Sequence, residues 1–312
     1  MSEIKPNFDE LFERVITYPD SEFQERFSEL VGLDDQKARL TKILSLLVNP
    51  SGIENWAKKY HKDASKIINL VLKRPPLVVL EGDVGSGKSE LATVIGDALA
   101  RQEKIDVFLF PLSLSTRGEG RVGQMTQLIS AAFDYTIERA EKLKNKSGGA
   151  RGAVILLVDE ADALTQSREN SQMHHEDKAG VNAFIRGVDR IGNGKLPAAV
   201  IMCTNRLNAL DPAIKRRAAD ILRFGRPNEE QRLAVLKDSF QELGLEEKQL
   251  KEVVLATGEN NNREYGFTYS DLTQRLIPAI ILDAYPNSQV TPERVLEITT
   301  NMQPTPPFQE KI

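Results

Sequence analysis

Residues 76–89 read PLVVLEGDVGSGKS, and this stretch decides the fold. Residues 76–81 are apolar without alternation and short, as in a strand buried on both faces. The strand opens into a loop in which Gly82 and Gly87 bracket four residues and Lys88 and Ser89 follow. SELATVIGDALARQ then has the period of an amphipathic helix. Strand, glycine loop and helix in that order form a phosphate cradle. Glycines let successive N–H groups converge on phosphate oxygens, and the helix N-terminus adds partial positive charge. Lys88 is the type and position that reaches β- and γ-phosphates, and the Ser89 hydroxyl is a ligand for Mg²⁺. The plain alternative, a glycine-rich connector, accounts for the glycines but not for Lys88 and Ser89 in that register.

Outward from this loop, apolar strands alternate with helical stretches. VFLFPL (107–112), AVILLVDE (153–160) and AAVIMCTN (198–205) read as strands, and QMTQLISAAFDYTIERAEKLK (124–144) as a long helix. The expected fold class is α/β, a parallel sheet of P-loop NTPase type flanked by helices. Past Phe224 no apolar strand remains, and GRPNEEQRLAVLKDSFQELG begins a run of helices. The expected organisation is a helical N-terminal segment (1–29) with Phe8, Phe12, Phe23 and Phe27, an α/β domain (30–225), and a small all-helical lid (226–312).

Three further stretches supply what phosphate chemistry needs. Asp159 ends an apolar strand, where a carboxylate can orient Mg²⁺. Glu160 follows it and can polarise an attacking water, since phosphoryl transfer depends mostly on positioning and charge. Asn205, at the end of IMCTN, can contact the γ-phosphate or the water, although Asn at a strand end is ordinarily turn chemistry. LDPAIKRRAAD (210–220) begins a helix at Pro212, with Arg216 and Arg217 one turn on. An arginine far from its own loop can serve a neighbouring subunit's nucleotide.

Composition narrows the classes. The 41 basic and 45 acidic side chains leave a net charge of -4, with no bulk attraction to nucleic acid or anionic lipid. The one cysteine, Cys203, excludes a disulfide within the chain. No secretory signal opens the sequence, and the longest apolar runs are too short to span a bilayer. A cytoplasmic protein without membrane association is expected.

Taken together, VGL (31–33), GDVGSGKS, VDEAD, CTNR and LDPAIKRR resemble the AAA+ ATPases of the AAA clade. GFTYSDLTQRLIPAII is similar to a segment of that clade's lid. The resemblance implies ATP and Mg²⁺ as cofactors and a ring, usually a homohexamer. It assigns nucleotide binding to Val31, Gly32, Gly82, Asp83, Val84, Gly85, Ser86, Gly87, Lys88, Ser89 and Glu90, and metal binding to Ser89 and Asp159. Catalysis falls to Lys88, Glu160 and Asn205, with Arg216 as the best match to the family's arginine finger and Arg217 beside it. The chain departs from the pattern at Asp83 and Val84, where the family has prolines, and at Ala218-Ala219, where a second finger would stand. The lid's sensor arginine falls at Ser270, with Arg275 further along.

Pore loops are implied at 112–125, with Thr116, Arg117 and Gly118 where an aromatic often stands, and at SRENSQMHHEDKAG, with His174 and His175. The stretch from VDEAD through AGVNAFIRGVDRI to RRAADILRF is similar to the pachytene-checkpoint remodellers, including bacterial forms that accompany cyclic-nucleotide anti-phage signalling. That likeness implies a HORMA-domain client.

Three other classes compete. A DNA-directed AAA+ loader lacks support from a basic stripe, because KLKNKSGGAR reads as a solvated connector. A DEAD helicase needs a second ATPase-like domain that residues 226–312 are too short and too helical to form. A binding-only scaffold would not need the full catalytic set.

Overall fold

The computed structural model describes residues 8–12, 14–61, 64–113, 124–144, 150–164, 174–208, 210–260 and 263–308. The chain forms two compact units. One comprises residues 1–28, 35–81 and 89–223. The other comprises residues 29–34, 82–88 and 224–312.

The first unit holds a six-stranded sheet: β1 (Ile16–Tyr18), β2 (Leu77–Gly82), β3 (Asp106–Ser113), β4 (Gly152–Asp159), β5 (Ala198–Thr204) and β6 (Ala218–Phe224), in the order β1-β3-β4-β5-β2-β6. The pairs β3–β4, β4–β5 and β2–β5 are parallel, as continuous apolar strands require, while β1 joins β3 antiparallel. The α/β fold class expected from the alternation is the one observed. Leu77 to Leu80, Ala153 to Leu156 and Ala198 to Met202 are wholly buried, each large side chain contributing about 1.5–3 kcal/mol. Alternate residues of these strands pack against helices Gln124–Leu143 and His174–Gly194, which meet through Phe133 and Phe184, ring centroids 5.5 Å apart and edge to face.

Two strands were hidden in the sequence. β1 interrupts the N-terminal segment read as helical. Its Tyr18 is fully buried, and the hydroxyl donates to the Thr93 carbonyl of helix Lys88–Glu103. β6 overlaps the end of LDPAIKRRAAD (210–220), where the residues mark only a helix beginning at Pro212. That helix stops at Lys215, capped by Asp211, and the chain turns into an edge strand whose polar residues break the apolar run. No helix among the described residues is long and apolar enough to cross a membrane.

The second unit is helical. Glu229–Glu242, Glu247–Ala256, Ile277–Ala284 and Pro292–Asn301 surround Leu236, Phe240, Val253, Phe267, Leu272 and Val295. A capping box of Asn228 and Gln231 starts the first helix, and Thr291 caps the last. Residues 302–308 follow as a strap without regular secondary structure.

Candidate nucleotide site

In the helical unit, the glycine loop is shaped by left-handed backbone. Gly85 and Gly87 have φ of 71° and 92°, values that favour glycine. A Cβ at Gly85 would stand 2.8 Å from Thr268 Oγ1, and one at Gly87 would stand 2.9 Å from Leu33 Cδ1. Lys88 is 6% exposed, and its Nζ donates to the carbonyls of Gly82 (2.8 Å) and Asp83 (2.7 Å). Ser86 Oγ also donates to the Asp83 carbonyl. A shielded ammonium held by loop carbonyls at a helix N-terminus is an anion-binding arrangement. The exposed Val84 and Val31 leave apolar surface in this unit. The Gly32 carbonyl accepts from Gln231 Nε2 (2.7 Å) and the Tyr269 hydroxyl (3.2 Å). Burial pushes the Tyr269 hydroxyl up to about 12.

In the sheet unit, parallel register aligns the carboxyl ends of β2, β4 and β5, where open α/β sheets bind ligands. Ser89 Oγ donates to Asp159 Oδ1 at 3.1 Å, and the same oxygen accepts the Glu160 N–H at 2.9 Å. Glu160 is exposed and has φ of 51°, left-handed backbone that a non-glycine residue adopts at a cost. Asp162, on the 3₁₀ turn Ala161–Leu164, accepts from Thr204 Oγ1 (2.5 Å) and from both the N–H and Nδ2 of Asn205 (3.2 Å each). Asp162 thus orients Asn205. Sequence reasoning missed this role, since only its place in DEAD marked it. Glu90 is engaged by Arg26 at 2.8 Å.

The two adjacent arginines differ. Arg217 grips Asp189 with Nε and Nη2 at 2.8 and 2.9 Å, and hydrogen bonding to that carboxylate raises its pKa. Arg216 is exposed and makes no side-chain hydrogen bond or ion pair with the described residues.

Also in the helical unit, Arg275 is ion-paired to Asp271 at 2.6 Å. Ser270 donates its hydroxyl to Gln274 and its N–H to the Gly85 carbonyl at 3.1 Å. Thr116, Arg117 and Gly118 lie outside the described residues. His174 and His175, expected on a loop, open the helix His174–Gly194, and their side chains lie outside the description.

The fold is that of an α/β ATPase, and the comparisons agree. The AAA family, ATPases associated with various cellular activities, matches residues 78–226, and the chain belongs to this AAA ATPase family. It is 66% identical to CD-NTase-associated protein 6 of Escherichia coli (strain MS 115-1), with 98% of each chain covered. A chain in the solved HORMA:CdnC:Trip13 complex of E. coli MS115-1 superposes with a TM-score of 0.91 and 64% identity, covering 98% of this chain and 100% of that one. Rhizobiales Trip13 gives 0.75 and 53%, covering 95% and 100%.

Proposed function

We propose that the protein is an ATP-hydrolysing remodeller that opens or disassembles a HORMA-domain client, and so regulates a signalling or anti-phage defence complex. Residues 30–225 serve as the ATPase domain and 226–312 as its lid. One observation carries the catalytic part: the Ser89 hydroxyl and Asp159 carboxylate meet at 3.1 Å, with Glu160 next along the chain.

That donor set fits Mg²⁺, which takes hard oxygen ligands, one or two carboxylates and substrate phosphates. When bound, the ion would supply charge neutralisation at the phosphates. Val31, Gly32 and residues 82–90 carry the nucleotide, and Lys88 holds the β- and γ-phosphates. Glu160 accepts hydrogen bonding from the attacking water and orients it, while Asn205, fixed by Asp162, positions water or γ-phosphate. The exposed Arg216 serves a neighbour's nucleotide in a homohexamer, and the Asp189-bound Arg217 holds the helix end that presents it.

The client reading rests on likeness over nearly the whole chain to the Trip13 chain solved with HORMA and CdnC proteins. The test is ATPase activity with and without the HORMA protein of that complex, alongside its capture by Glu160→Gln in ATP. Stimulation and ATP-dependent capture are expected. Stimulation by DNA but not by the HORMA protein would favour the DNA-directed loader instead.

A further inference from the structure

The resemblance implies a proline at position 83, and the structure gives Asp83 partners that a proline could not have. Its carboxylate accepts from Arg226 Nε at 2.9 Å and Nη2 at 2.6 Å, from the Val84 N–H at 2.9 Å, and from the Phe308 N–H at 3.1 Å. Arg226 also donates to the carbonyls of Thr305 (2.7 Å) and Gly266 (2.6 Å), and its guanidinium lies 4.8 Å from the Tyr265 ring centroid. The pair is largely shielded, with side chains 15% and 16% exposed. Bidentate charge-assisted bonds in such surroundings are strong and directional.

Residues 303–308 have no regular secondary structure to hold them, and they are tied at three points besides Arg226. Thr305 gives its N–H and hydroxyl to the buried Asp271 at 3.0 and 2.7 Å. The Gln303 carbonyl accepts from Arg275 at 3.1 Å, and Phe308 donates to Asp83. Arg275, placed near the sensor position by resemblance, is therefore spent on the strap. A carboxylate in a loop that receives phosphates opposes the anion unless its charge is countered, and Arg226 counters it while holding the strap with the same guanidinium.

We propose that the C-terminal strap, residues 303–308, is a working part of the nucleotide site: through Arg226 and Asp83 it holds the phosphate loop in the shape that takes nucleotide. Asp83 and Arg226 are then positioning residues. This inference rests on the reading of residues 82–88 as the nucleotide loop. By linkage, nucleotide in the loop secures the strap by the same factor as the strap tightens nucleotide.

The experiment measures ADP affinity and amide exchange at Gln303, Thr305 and Phe308, the residues of the strap that carry an N–H, in the full chain, for wild type, Asp83→Asn, Arg226→Ala, their double variant and Phe308→Pro. Phe308→Pro removes the N–H that reaches Asp83, together with the phenyl ring, and leaves the ion pair in place. ADP should slow strap exchange in wild type. Asp83→Asn and Arg226→Ala should each weaken ADP binding about tenfold, the double variant no more than either alone, and Phe308→Pro less. ADP should no longer slow strap exchange in Asp83→Asn. Faster strap exchange in Asp83→Asn with wild-type ADP affinity would overturn the coupling and leave a packing contact. Failure of wild type to bind ADP would overturn the nucleotide reading itself.

Discussion

The sheet unit and the phosphate loop of the helical unit hold their polar groups by different means. At the strand ends, Asp159, Thr204 and Asn205 are carried to one edge by parallel register, and hydrogen bonds with Ser89 and Asp162 finish the arrangement. Residues 82–88 are instead fixed by side chains and backbone from distant positions: Arg226, Ser270 and Phe308. Strand ends are stiff because the sheet makes them so, whereas the loop is only as fixed as its supports. Damage on the strand-end side should therefore appear in kcat with nucleotide binding kept, and damage around the loop in affinity.

The largest effect is expected in the sheet unit from Arg216→Ala, at the end of helix Pro212–Lys215, which should lower kcat by about 10³-fold with ATP affinity unchanged. Arg217→Ala should mainly lower thermal stability. Steady-state ATPase assays separate the two. Mixing Arg216→Ala with Lys88→Ala subunits should restore activity, because some sites then combine an intact loop with an intact finger. No recovery on mixing would break the shared-site account.

Asp162→Ala should cost about 10²-fold in kcat through misplacement of Asn205, with KM for ATP little changed. A rise in KM without loss of kcat would erase the contrast between the two regions.

A smaller effect is expected in the helical unit. Burial pushes the Asp271 carboxyl up, but the Thr268 N–H, the Thr305 hydroxyl and N–H, and Arg275 together hold it below the ordinary carboxylate value. A depressed folded-state pKa contributes stability at neutral pH that is lost as pH falls through the folded value. Asp271→Asn should destabilise the protein by about 2 kcal/mol at pH 7, and the gap from wild type should close on acidification. Denaturant melts at a series of pH values measure it.

Much of this was legible in the residues. Continuous apolar runs identified β2 through β5, and the loop, Asp159, Glu160 and Asn205 stood out because their chemistry follows directly from strand ends and glycines. β1 and β6 escaped because a three-residue strand has no period and an edge strand carries charges such as Asp220 and Arg223. The supports of the loop were out of reach for a different reason. Asp83 meets Arg226 and Phe308 across 143 and 225 residues of chain, and no local pattern marks such pairs.

The central proposal, that Glu160 orients the attacking water, is tested most directly by ATP binding and turnover in Glu160→Gln. Hydrolysis should fall by about 10²-fold or more while ATP stays bound with affinity near that of wild type. Hydrolysis at the wild-type rate would contradict the assignment of Glu160 and the mechanism built on it.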